Sequence, residues 1–345
     1  MAKRIVAIYD RGIDKNLMQG FDVLEKYGYE LTLVEKTVNE DELAYQNSML
    51  SVEVNGPDGT PINEEVFQYL DDAEIIITHF APVSRRMIEA AKNLKIIATL
   101  RTGMENINME AAKERGIKVI NAPGRAAVAV ADFTVAAMLC EIRNIARTDE
   151  DIKTGGWTKK YPNRTYSDNM CNLKVGLVGF GDIGRKIATR LKGFGTTILA
   201  YDPYCTKESI EAFGCVPVSL DELLEQADFV SLHVRLSPQT QNMFGAAEFA
   251  KMKPTAIFVN AARAGLVDEA MIDALEQKKI GGAVLDVFRE EPLPVDHPLR
   301  KLKNVTLSAH LAGTDIGTFS GSIKIVADNL EQYFSGGELK NVVNH

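Results

Sequence analysis

The stretch Gly179-Phe180-Gly181-Asp182-Ile183-Gly184 has the spacing G-x-G-x-x-G, and Asp202 follows Gly184 by 18 residues. This pattern suits a dinucleotide. The first glycine permits a tight bend, the second lets the backbone approach a pyrophosphate, and the third lets helix and strand pack closely. The N-terminus of the following helix aims free N–H groups at the phosphates. Asp202 can accept hydrogen bonds from the adenosine ribose hydroxyls and would repel a 2′-phosphate, which favours NAD over NADP. A lone glycine turn is weak, and S-adenosylmethionine sites use a similar loop and acid. The downstream residues fit NAD better.

Those residues lie in NAARAGLVDE (260–269), LDVFREEPLP (285–294) and SAHLAGTD (308–315), which offer Arg263, Glu291 and His310. Hydride transfer at a carbon bearing oxygen needs a group that exchanges the oxygen's proton, and histidine does this near neutral pH. A carboxylate bonded to it favours the imidazolium. An arginine holds a substrate carboxylate with two parallel bonds. NAD, His, Glu and Arg together describe interconversion of a 2-keto acid and a 2-hydroxy acid. The residues alone do not choose between Glu290 and Glu291.

These groups need strand ends to stand on. Short β-branched runs alternate with helical patterns along the whole chain. The first half has KRIVAIYD (3–10), ELTLVEK (30–36), EIIITHF (74–80), KIIATL (95–100) and KVINAP (118–123). The second has KVGLVGFG (174–181), TILAYDP (197–203), FVSLHV (229–234), AIFVNAA (256–262), GAVLDVF (282–288) and VTLSAH (305–310). Runs apolar on both faces suit parallel sheets covered by helices on two sides. Eleven of them exceed one ordinary sheet, so the expected fold is α/β with two doubly wound domains. The predicted sites sit at the C-terminal ends of strands, where ligands collect in this architecture.

Residues 125–147 form one long helical pattern, apolar nearly all round, which calls for two partners, one of them a second subunit. Residues 154–172 read as a connecting arm. Phe319, Ile323, Val326, Leu330 and Tyr333 mark an amphipathic C-terminal helix. Residues 37–61 read as a long surface excursion.

The 345 residues carry a net charge of −8 with no basic run, which argues against nucleic-acid binding. No run reaches the roughly 20 apolar residues of a membrane span. The N-terminus is basic but lacks an apolar signal core and a cleavage site. Cys140, Cys171, Cys205 and Cys215 form no CxxC pair and have no nearby histidines, so the expectation is reduced thiols, a cytoplasmic location and no metal site.

Taken together, VGFGDIGRKIA, YDPY, LHVRLSPQT, NAARAGLVDE, LDVFREEPLP, SAHLAG and ENINMEAAKERGIKVINAPG resemble the D-isomer-specific 2-hydroxyacid dehydrogenase family, in its 3-phosphoglycerate dehydrogenase-like branch, over residues 95–315. The resemblance implies a flavodoxin-like substrate domain from residues 1–121 plus 315–345. It implies an inserted Rossmann NAD domain at 122–314 and a cleft between the two. It further implies a homodimer, with a dimerisation helix and arm at about 125–172. By motif, Arg263 would bind the substrate carboxylate and keto oxygen, His310 would be the acid/base, and Glu291 would pair with His310. Backbone N–H groups near Gly103 and Met104 would hold the carboxylate. Gly179, Gly181, Asp182, Ile183, Gly184, Asp202, Ala261, Ala262, Arg263, Asp286, His310 and Gly313 would line the NAD, with Asp286 at the nicotinamide carboxamide.

Some positions keep two readings. His233 either meets the cofactor or packs. His79 reads as structural, and His297 as a loop residue. Arg101 replaces a glycine common in the family's substrate loop, so it either receives a second anionic group on the substrate or pairs with Glu105 or solvent. Arg235 replaces a proline near the cofactor pocket, and Ala264 a glycine. Two rivals share the scaffold: a non-catalytic NAD(H)-sensing binding protein, and a formate dehydrogenase, against which Glu291 argues because relatives of that chemistry carry Gln there.

Overall fold

The computed structural model describes residues 3–37, 48, 51–52 and 55–344. Much of the 37–61 excursion therefore lies outside the described residues. The chain forms two compact units, Met1–Arg125 with Asp315–His345, and Ala126–Thr314.

The first unit holds a five-stranded parallel sheet in the order β2-β1-β3-β4-β5. Its strands are β1 (Lys3–Tyr9), β2 (Tyr29–Glu35), β3 (Ala73–Thr78), β4 (Ile96–Thr99) and β5 (Lys118–Ile120). Alternate residues point to opposite faces, and both faces are apolar. Ile5, Ala7, Ile75, Ile77, Ile96 and Ala98 fill one core layer. Val6, Ile8, Ile76, Ile97 and Val119 fill the other. The C-terminal helix Ile316–Phe334 is capped by Asp315, which accepts from Thr318 N at 2.5 Å. It returns to cover the first layer with Ile323, Val326 and Leu330, each worth about 1.5–3 kcal/mol when buried. Beyond it, Val342 pairs antiparallel with Ile120, and Val343 N donates to Val119 O at 2.9 Å.

The second unit holds a seven-stranded parallel sheet in the order β12-β11-β10-β9-β6-β7-β8. Its strands are β6 (Lys174–Val178), β7 (Thr197–Tyr201), β8 (Val216–Pro217), β9 (Phe229–Leu232), β10 (Ile257–Asn260), β11 (Gly282–Leu285) and β12 (Val305–Leu307). This is the doubly wound dinucleotide order, with the switch point between β6 and β9. Strand β8 was not expected; two residues, one of them proline, leave no periodic signal.

The single long helix expected over 125–147 is two helices, Ala127–Ile142 and Ile145–Lys153. Asn144 divides them at φ 56°, a left-handed conformation that asparagine tolerates because its short side chain bonds locally. The first helix buries Ala131, Val135, Met138 and Ile142 in the core but leaves Val128 51% exposed. One side of it stays open in the single chain.

Candidate active site

Most of the chemistry-bearing residues expected from sequence fall in the second unit. Strand β6 ends at Gly179, whose φ is 97°. A Cβ there would lie 2.7 Å from the His233 carbonyl oxygen, where the end of β9 passes. At Gly184 a Cβ would collide with the Gly179 carbonyl, so the helix Asp182–Lys192 packs against the turn only without a side chain. Around the Cβ position of Gly181 nothing lies within 4 Å. The first and third glycines are thus needed by the protein itself, and the second leaves its space to a ligand. No side chain caps the helix behind them, so its first amides, at Asp182 and Ile183, remain donors for phosphate oxygens. Asp202, just past β7, accepts from Phe180 N at 2.8 Å through one oxygen and from Tyr204 N at 2.9 Å through the other. Each oxygen keeps a second lone pair for a ribose hydroxyl. The residues present fit NAD.

His233 is half-buried, with Nε2 at 2.8 Å from Ser231 Oγ. Burial pushes its imidazole down to about 3, so it stays neutral in ordinary buffers. Ala261, Ala262 and Arg263 follow β10. Asn260, buried, ties this turn from below: its side chain accepts from Ala262 N and donates to Arg263 O, both at 3.0 Å. Sequence reasoning did not single out Asn260; its position at a strand end before the arginine loop was the available signal.

His310 and Glu291 meet in this unit. His310 Nδ1 lies 2.8 Å from Glu291 Oε2, with the two side chains 51% and 28% exposed. The other oxygen, Glu291 Oε1, accepts from Phe288 N at 2.9 Å. The glutamate at His310 is thus Glu291, not Glu290. The hydrogen bond that His310 donates to Glu291 raises the His310 pKa; burial and the Arg263 charge oppose it, and the charges of Glu291 and Asp286 reinforce it. Burial acts to raise the Glu291 carboxyl, but the bonds from His310 and Phe288 N and the charges of His310 and Arg263 leave it lowered. An ionised carboxylate beside a readily protonated imidazole is the result. The Arg263 side chain is exposed, with Nη1 donating to Ala262 O at 2.7 Å.

Asp286, the residue expected at the carboxamide, follows β11. It is fully buried, and its oxygens accept from Ser308 Oγ at 2.6 Å and from Leu311 N and Ala312 N at 2.9 Å. It fastens the loop that carries His310. That loop holds His310 at φ 54°, an uncommon conformation for a non-glycine residue that persists where the surroundings enforce it. Gly313 follows, half-buried, in ordinary contact distance of Ala126 and Val130.

Of the remaining expected residues, His79, Arg101, Gly103 and Met104 belong to the first unit, and Arg235 and His297 to the second. Arg101 follows β4 and is buried; its guanidinium lies 4.3 Å from the Phe80 ring centroid, with Nη2 at 3.5 Å from Glu105. Glu105 folds back over Gly103, where a Cβ would meet its carboxylate. Met104 is half-buried beside it. His79 is fully buried and bonded to Asp10. His297 caps a short 3₁₀ turn, accepting from Leu299 N at 3.3 Å. Arg235 is exposed, and its carbonyl accepts from Thr240 Oγ1. Among the described residues, no group of three His, Cys, Asp or Glu side chains is placed to hold a metal ion. Nor is any described helix long and apolar enough to cross a membrane.

Known proteins are similar to this chain. Residues 135–312 match the family described as D-isomer specific 2-hydroxyacid dehydrogenase, NAD binding domain. The chain is 39% identical over 284 residues to D-3-phosphoglycerate dehydrogenase of Methanocaldococcus jannaschii, covering 81% of this chain and 53% of that protein. It is 37% identical over 287 residues to glyoxylate reductase of Korarchaeum cryptofilum, covering 82% and 86%. It superimposes on D-lactate dehydrogenase from Escherichia coli with a TM-score of 0.70 at 26% identity, covering 98% of this chain and 99% of the other. The chain spans little more than half the length of the phosphoglycerate dehydrogenase it matches. With the family model matched and the glycine turn, Asp202 and the His310–Glu291 pair carried on these strand ends, the chain belongs to the D-isomer-specific 2-hydroxyacid dehydrogenases.

Proposed function

We propose that the protein is an NAD-dependent oxidoreductase that interconverts a 2-keto acid and the corresponding D-2-hydroxy acid. The observation that carries this reading is the 2.8 Å pair of His310 and Glu291 with the Arg263 charge acting on both. NAD, when bound, supplies or accepts the hydride. The chain does the rest. Arg263 holds the substrate carboxylate with its planar fork and stabilises charge that develops on the keto oxygen. His310, charged through Glu291, donates its proton to that oxygen during reduction and recovers it during oxidation. Asp286 and Asn260 keep the two loops in place. In the first unit, Arg101 and the amides of Gly103 and Met104 are assigned to the substrate, Arg101 to a second anionic group.

The assembly is read as a homodimer that uses the helix Ala127–Ile142 and the arm as far as residue 172. Support comes from the apolar side chains left open there, with Val128 51%, Ile145 57%, Ile152 48% and Trp157 79% exposed. Four free thiols support the cytoplasmic reading.

The test is NADH oxidation across a panel of 2-keto acids that includes phosphorylated, sulfonated and dicarboxylic members. Turnover of at least one member is expected. Tight NADH binding without turnover of any would contradict the enzyme reading and favour an NAD(H)-sensing protein.

A further inference from the structure

The glycine turn of the second unit leaves room for two phosphates and then sets a carboxylate beside that room. The helix Asp182–Lys192 runs for 11 residues from this turn, and its N-terminus carries about half a positive charge from the aligned peptides. The open space at Gly181 leaves the first amides of the helix accessible to a pyrophosphate. Asp182 is the first residue of the helix, and it is exposed. A full negative charge on the first turn opposes the field that would draw an anion there.

A base on the same helix face could cancel that charge, and Arg185 and Lys186 stand three and four residues on, at the spacing for it. Neither does so. The Arg185 guanidinium turns back on the glycine loop, where Nε donates to the Phe180 carbonyl at 3.1 Å. Its Nη2 lies 3.9 Å from Cys205 Sγ, and the Phe213 ring centroid is 5.5 Å from the guanidinium. Among the described residues, no ion pair or hydrogen bond engages the Asp182 carboxylate. The other acid of the loop, Asp202, differs, since the amides of Phe180 and Tyr204 hold its two oxygens. One acid is built into the turn, and the other stands unopposed at the start of the helix. An acid in the first turn stabilises the helix of the empty protein. The same charge repels a phosphate bound there, so the gain without cofactor is a loss with it.

We propose that Asp182 sets the affinity for the cofactor: its carboxylate repels the NAD pyrophosphate at the helix N-terminus and keeps NAD(H) a loosely held, exchangeable cosubstrate. The glycine turn and Asp202 hold the dinucleotide, and Asp182 limits how tightly. This rests on the NAD site alone and not on the 2-keto acid reading.

The test measures binding to the full chain without substrate, by NADH fluorescence titration, together with the melting temperature of the cofactor-free protein. Asp182→Asn should lower the NADH dissociation constant about threefold to tenfold at about 0.01 M salt. Most of that gain over wild type should vanish at about 1 M salt, where charges are screened within a few ångströms. Asp182→Glu keeps the charge and should stay within about twofold of wild type. ADP-ribose has the pyrophosphate but no nicotinamide, and it should show the same gain when it displaces NADH. The cofactor-free Asp182→Asn protein should melt about 1–3 °C lower, because the helix loses its acid. Tighter binding and lower stability then appear together. An NADH dissociation constant that Asp182→Asn leaves unchanged or raises overturns the proposal and leaves Asp182 a helix-stabilising residue. A gain confined to NADH, or one that Asp182→Glu reproduces, overturns it too. A wild type that binds neither NADH nor ADP-ribose overturns the NAD site itself.

Discussion

Two histidines in this chain are bonded through Nδ1 to a carboxylate, and their surroundings make them opposites. His310 pairs with Glu291 through Nδ1 at 2.8 Å and is half exposed, which suits Nε2 to carrying a proton to give. His79 pairs with Asp10 at 3.1 Å, is fully buried and has Arg125 on Nε2. The first pKa is raised and the second lowered. The carboxylate is the same device in both. Burial and the group on the second nitrogen decide whether the pair is an acid or a strut.

Breaking the first pair should have the largest effect. His310→Gln removes the proton donor, and a loss of about 10²–10⁴-fold in kcat is expected, with the NADH dissociation constant nearly unchanged by fluorescence titration. Glu291→Gln keeps the shape but removes the charge that raises His310. Reduction of the 2-keto acid should fall by about tenfold to a hundredfold near neutral pH, and the alkaline limb of its kcat/KM profile should move to lower pH, because the imidazolium is lost earlier. Asp202→Ala should weaken the preference for NAD over NADP by about tenfold, read as a ratio of kcat/KM values; it also frees the amides of Phe180 and Tyr204.

The smallest effect is on stability, and its sign separates the two kinds of histidine. A histidine with a lowered folded pKa takes up a proton more readily when unfolded, so it costs stability as pH falls below about 6.5. His233, pushed down to about 3, and His79 both act in this direction. His310, with a raised pKa, contributes stability that is present below the unfolded value and fades as pH rises through the folded one. Urea unfolding at pH 5 and pH 8 should therefore show His233→Asn reducing the acid-side loss and His310→Gln deepening it.

Much of this was legible in the sequence, for reasons that can be named. Strands buried on both faces announce themselves as short β-branched runs, and the glycine turn is defined by spacing within six residues. The C-terminal helix is visible through Ile323, Val326 and Leu330. What sequence hid depends on contacts between distant residues or on single backbone angles. Asn144 breaks a helix by its φ alone, and β8 is too short to show a period. The bonds that Asp286 accepts come from Ser308, Leu311 and Ala312, more than twenty residues away along the chain. Asn260 acts through backbone groups of its own loop. Arg125 lies in the turn before a helix, and its partner His79 is 46 residues earlier; neither signals the other along the chain.

The contrast between the two pairs can be observed directly by following the imidazole nitrogens of the histidine-labelled protein by NMR across pH. The account predicts that His310 titrates above the ordinary histidine value and His79 below it, with the neutral His79 protonated on Nδ1. A His310 that is already neutral below the ordinary value, or a His79 that titrates above it, would contradict it.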